Sequence, residues 1–141
     1  MLRQLIFGSA VSLGNIAIHA LVMVVIVRTG PVVQTNLPSN PTLRLLVMMI
    51  ATVSVLMATH ISEITIWSLA YALVGAAPRG TDYLYFAFVN YTTLGYGDVV
   101  PVERWRLLGP MTAMNGVLLF GWSTAVIVQA LRTTIQDSRD H

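Results

Sequence analysis

Three long stretches of the chain avoid Asp, Glu and Arg almost completely, and polar or Pro-bearing connections separate them. The first, Gln4 to Val27, is 24 residues between Arg3 and Arg28. A bilayer-spanning helix needs about 20 apolar residues, so the pattern predicts a transmembrane helix within residues 1–28. The core of a cleavable signal peptide is only about 7 to 15 residues long, so this longer run, leading into Arg28-Thr29-Gly30-Pro31, is expected to stay in the mature protein. Residues 29–42 hold Pro31, Pro38 and Pro41 with Asn36, Ser39 and Asn40, and predict an exposed linker that ends the first helix. A second helix is expected over residues 43–74. It would be about 48 Å long at 1.5 Å per residue, against a hydrocarbon core of about 30 Å, so it must tilt or project. A third is expected over residues 107–131, which carry no charge and place Pro110 in the tolerant first turn. Residues 132–141 then read as a short polar tail.

Between the second and third stretches lies a segment that is neither a span nor an ordinary loop. Thr81 or Asp82 can cap a short helix over residues 82–92. Ten residues reach about 15 Å, half a membrane. Thr92-Thr93-Leu94-Gly95-Tyr96-Gly97-Asp98 follows, and Pro101 closes the segment. A half-length helix with a glycine-bearing segment behind it predicts a re-entrant loop, whose irregular backbone must be buried in protein or line a water-filled path. The fold class is therefore an all-α membrane protein of three transmembrane helices plus a re-entrant helix and loop.

Composition agrees: 55% of residues are hydrophobic and only 10% charged, where a soluble domain carries about 25% charged. The 141 residues allow one folding unit with no separate catalytic domain, so an enzyme is not expected. The eight basic residues, all Arg, are scattered rather than clustered, which speaks against nucleic-acid binding. No helix carries Arg at every third position, as a voltage sensor would. With no cysteine, disulfides and thiolate metal sites are excluded.

The segment Thr92 to Asp98 resembles the signature of the potassium channels, Thr-Thr-Val-Gly-Tyr-Gly-Asp, with Leu94 in place of Val and the other six positions matching. The resemblance spans roughly residues 71–131 and is to small prokaryotic-type channels. It implies passive, potassium-selective conduction through a homotetramer in a plasma membrane, with the lipid bilayer and other copies of the chain as partners and no soluble partner or nucleic acid. It also implies a filter of Thr93, Leu94, Gly95, Tyr96 and Gly97, in which backbone oxygens of Thr93, Leu94, Gly95 and Tyr96 hold permeant K+, with no other cofactor. The physics is consistent with this. A dehydrated cation needs oxygens in place of its hydration shell, and Gly95 and Gly97 can take the positive φ that such a backbone requires. Ala at Gly95 is expected to break the filter, and Ala at Gly75 to be nearly silent. One signature supplies one wall, so a closed pore needs several copies, and the resemblance implies four of them in cyclic symmetry. If the filter mouth faces outside, the linker at residues 29–42 is cytoplasmic.

Around the filter, Thr92, Asp98, Tyr85 and Phe86 are expected as supports. Tyr85 and Phe86 stand where many potassium channels have two Trp donors, so Tyr85 keeps a donor that could reach Asp98 and Phe86 has none. Val89 stands where some members have Glu. Gly116 and Gly121 in the third helix are read either as an inner-helix hinge or as close packing, and Asn115, Ser123, Thr124 and Gln129 as cavity-wall candidates that do not share one face, so that some must bond to neighbouring helices. His60 and Glu63 share a face of the second helix, deep in an apolar run, where ionisable groups default to functional readings. They could buttress the pore helix, sense protons, or bind a metal with His19. Depth argues against the metal: His19 is nine residues from Arg28 and His60 sixteen from Arg44. The alternatives to a selective channel are a weakly selective cation channel and, less favoured, a membrane metalloprotein using His19, His60 and Glu63.

Overall fold

The computed structural model describes residues 1–34 and 40–137. Among them are four helices, α1 (Leu2–Gln34), α2 (Pro41–Val74), α3 (Tyr83–Tyr91) and α4 (Leu108–Asp137), with a 3-10 turn at Glu103–Trp105 and no strand. Stretches of α1, of α2 and of the turn with α4 are each long and apolar enough to cross a membrane.

Local chemistry fixes several helix ends. Asn40 caps α2, its side-chain oxygen accepting from the backbone N–H of Thr42 at 3.0 Å and Leu43 at 3.2 Å. Pro41 takes the first helical position, where its missing N–H costs nothing. Gly75 ends α2 in the left-handed region at φ 61°, its N–H reaching the Ala72 carbonyl while the Ala76 N–H reaches that of Tyr71. Gly75 is therefore a strained position for any side chain, and the expectation that Ala there is silent is corrected. Asp82 caps α3, accepting from Leu84 at 2.9 Å and Tyr85 at 3.2 Å. The nine-residue α3 reaches about half the hydrocarbon thickness.

Two helices outrun their apolar stretches. α1 passes through Gly30 and Pro31 to Gln34, and α4 passes Arg132 to Asp137. The linker expected from residue 29 and the polar tail from residue 132 are corrected accordingly, and residues 35–39 and 138–141 lie outside the described residues. The reason is physical. Loss of apolar character marks where the membrane ends, not where i to i−4 hydrogen bonding ends, and a proline removes only one such bond.

α1 packs against both α2 and α4, and α3 sits in the angle between α2 and α4. Midway along α2 the buried face is more polar than the exposed one. Thr59, His60 and Glu63 of α2 are buried, while Leu46, Ile50, Val53 and Met57 of the same helix are exposed. Lipid rather than water is the solvent for which that distribution is stable. An aromatic cluster of Trp67, Tyr71, Phe86 and Tyr91 joins α2 to α3, with Leu108 of α4 beneath it. Gly116 of α4 lets the two backbones meet: a Cβ there would fall 2.0 Å from the Tyr91 carbonyl oxygen.

Candidate functional site

The chain reverses at the end of α3. The N–H of Thr92 bonds to the Phe88 carbonyl and that of Thr93 to Asn90, both at 3.0 Å, and the N–H of Leu94 bonds back to Val89 at 3.0 Å. From there backbone handedness alternates: φ is 60° at Thr93, 58° at Gly95 and 79° at Gly97, with no positive φ at Leu94 or Tyr96. The two glycines behave as their sequence positions predicted. Thr93 was not foreseen, because a β-branched residue at positive φ is an outlier that nothing in composition announces. Thr92 to Asp98 are all exposed in the single chain, Tyr96 at 69% and Leu94 at 53%. A Cβ on Gly95 would meet nothing closer than the Thr93 oxygen at 3.9 Å, so backbone hand rather than crowding calls for glycine there.

The expected Tyr85 contact is present, with the hydroxyl donating to Asp98 Oδ2 at 2.6 Å. That bond holds the Tyr85 phenol above its ordinary pKa, since ionising it would set two anions side by side. Phe86 is buried and lies 4.9 Å from the Tyr71 ring. Among the cavity-wall candidates, Thr124 and Gln129 are exposed, whereas Asn115 and Ser123 are buried and are the ones that bond to neighbouring helices, as expected of some of the four. Asn115 Oδ1 accepts from Trp67 Nε1 at 2.9 Å and from Asn15 Nδ2 at 3.2 Å. Gly116 is a point of close packing against Tyr91, and α4 continues unbroken through it and through Gly121, which has open space around it. The hinge reading of Gly116 gives way to close packing.

Behind α3 lies a second constellation. Glu63, fully buried, has His19 Nδ1 at 2.7 Å from Oε1 and His60 Nδ1 at 3.0 Å from Oε2. Tyr91, the last residue of α3, donates its hydroxyl to Oε2 at 2.5 Å. On the far side of both imidazoles stands Ser123 of α4, whose Oγ is 2.9 Å from His60 Nε2 and 3.3 Å from His19 Nε2. α1, α2 and α3 thus meet at one carboxylate, and α4 closes the cluster through Ser123. The depth argument that kept His19 away from His60 is overturned, because Arg28 and Arg44 do not mark one level. Counted from the observed helix ends, Gln34 and Pro41, His19 is fifteen residues in and His60 nineteen. The difference is about 6 Å at 1.5 Å per residue, which helix tilt absorbs. Tyr91 and Ser123 were not foreseen as its members, since only tertiary packing brings them there.

Ligand atoms of His19, His60 and Glu63 lie within 4.8 Å of one another. A tetrahedral metal with bonds of about 2.0–2.2 Å holds its ligand atoms roughly 3.3 Å apart. The contacts to Glu63 at 2.7 and 3.0 Å are instead of hydrogen-bond length, and the arrangement fits a hydrogen-bonded network better than a metal centre.

The fold is that of a membrane-embedded helical protein with a half-length helix and an exposed glycine-bearing loop between two of its spans. A family model described as ion channel matches residues 45–133, from the first turns of α2 almost to the end of α4, and the chain belongs to that ion-channel family. α1 lies outside the matched residues. No curated protein and no solved structure matches the chain.

Proposed function

We propose that the chain is one subunit of a potassium-selective channel, closed by four copies around a common axis and conducting K+ passively across a plasma membrane. The observation that carries this reading is the alternating hand at Thr93, Gly95 and Gly97 on a segment exposed throughout in the single chain. Residues of alternating hand turn successive peptide groups toward one side, so the carbonyls of Thr93, Leu94, Gly95 and Tyr96 can form a file of oxygens. Such oxygens replace the hydration shell of K+ without the full charge that would trap it, and the Thr93 hydroxyl supplies the innermost ligand. Four copies convert the exposed segment into a closed ring. The carboxyl end of α3 meets the filter, and its dipole favours a cation below.

A weakly selective cation pore is the second reading, favoured by Phe86, which brings no hydrogen-bond donor to the back of the filter. The Tyr85 to Asp98 bond favours the selective one by tethering the filter's outer end to α3. Reconstitution into liposomes decides between them. Selective K+ flux over Na+ from a complex with four subunits supports the proposal. Equal fluxes support the second reading, and a complex without flux of either ion contradicts both.

A further inference from the structure

The cluster around Glu63 joins five side chains by six hydrogen-bond contacts, and setting aside His60 to Tyr91, which shares a hydrogen with another contact, five remain: His19 to Glu63, His60 to Glu63, Tyr91 to Glu63, and Ser123 to each of the two imidazoles. Each contact needs one hydrogen between its heavy atoms. With Glu63 ionised and both imidazoles neutral, His19, His60, Tyr91 and Ser123 supply one apiece, which leaves one contact without a hydrogen.

The geometry says where the gap falls. A carboxylate only accepts, so His19 Nδ1, His60 Nδ1 and the Tyr91 hydroxyl must each point a hydrogen at Glu63. His60 Nδ1 also lies 3.0 Å from the Tyr91 oxygen, and its single hydrogen is shared between the two acceptors. Both Nε2 atoms are then bare acceptors facing Ser123, whose hydroxyl has one hydrogen to give. We infer that the cluster is a binding site for one exchangeable proton, taken from solvent and held among His19, His60 and Glu63, with Ser123 relaying it between the two Nε2 atoms.

The added proton does two things at once. It fills the fifth contact, with one Nε2–H donating to Ser123 Oγ while the Ser123 hydroxyl donates to the other Nε2. It also cancels the charge of Glu63, whose side chain is completely buried within a membrane span. A neutral, fully bonded cluster is the stable form there, since an unpaired buried charge is costly. The other faces bring nothing that competes. α1 contributes His19, α2 contributes His60 and Glu63, and α3 contributes Tyr91. α4 contributes only Ser123 and the rings of Phe120, 4.5 Å from His60, and Trp122, 5.5 Å from His19.

Loss of the proton leaves one imidazole nitrogen unbonded and Glu63 charged. Tyr91, immediately before Thr92, is the partner through which that change reaches the proposed filter. The proton site itself does not depend on conduction. Only its effect on flux rests on the channel reading.

The test uses the full chain in bilayers with His141→Gln, so that His19 and His60 are its only histidines. Nitrogen-15 and carbon-13 NMR count protons on the four imidazole nitrogens and the Glu63 carboxyl. The expected result is one step as the sample is titrated from acid to alkali, with three protons below it and two above, and with both histidines responding together. Ser123→Ala should end the joint response, leaving a step seen at one histidine, because no hydroxyl then relays the proton between the two Nε2 atoms. Two independent steps, two protons throughout, or one bound metal ion per chain by elemental analysis would overturn the site. Potassium flux in liposomes should change at the same midpoint, and flux indifferent to pH across a verified proton step would overturn the coupling to the filter.

Discussion

Thr93 holds a β-branched side chain at φ 60°, a hand that costs an L-residue about 1–2 kcal/mol. Strain of that kind persists only where surrounding structure over-determines it, and it gathers at functional sites. In the single chain the bonds of Thr93 and Leu94 back to α3 are the restraint, and the facing copies would complete it. Gly95 and Gly97 were legible from the sequence because a glycine in a re-entrant segment has few other uses. Thr93 was not, since its conformation follows from alternation with its neighbours rather than from its own preference. Gly116 was legible only as one of two readings, and contact with the Tyr91 carbonyl decides for close packing. Gly116→Ala must push α3 away from α4, an overpacking that costs about 1–3 kcal/mol in a packed core. The expected outcome is a lower melting temperature of the assembled protein together with reduced flux. An unchanged melting curve would mean that α4 can shift freely past α3.

At the scale of elements, helix ends set by caps were readable and helix ends in lipid were not. Asp82 announces α3, because a cap is a property of a few neighbouring residues, while Asn40-Pro41, read as the end of a linker before a helix from residue 43, in fact opens α2. The far ends of α1 and α4 carry no such mark, and apolar run lengths undershot both. That undershoot misplaced His19 relative to His60 and hid the cluster. Its convergence at Glu63 makes a load on the carboxylate that differs between substitutions. Glu63→Ala leaves the Tyr91 hydroxyl and two imidazoles without their acceptor, at about 1–3 kcal/mol for each buried group left unsatisfied. Glu63→Gln keeps an acceptor oxygen and the shape. Thermal melting in detergent should therefore rank wild type above Gln and Gln above Ala, with equal melting of Gln and Ala contradicting the network's part in joining α3 to the other helices.

For the whole molecule, charge gives no orientation. With the proposed filter mouth outside, Arg28, Arg44, Arg132 and Arg139 fall inside and Arg3, Arg79, Arg104 and Arg106 outside, four on each side. The proposed orientation puts Ser39 in the cytoplasm, so a Ser39→Cys variant should be silent to an impermeant thiol reagent applied to intact cells, and labelling from outside would reverse the topology. In the proposed tetramer, symmetry also multiplies local strain. Ala at Gly95 adds about 1–2 kcal/mol per chain for the left-handed backbone, hence about 4–8 kcal/mol over four copies, with no steric clash to disturb the fold. Gly14, with open space about it inside α1, is the matched control. The most direct measurement is K+ and Na+ flux through verified assemblies of wild type, Gly14→Ala and Gly95→Ala, reconstituted side by side. Selective flux in the first two and lost flux or lost selectivity in the third is the predicted result, and wild-type selectivity through an intact Gly95→Ala assembly would contradict the assignment of this loop as the filter.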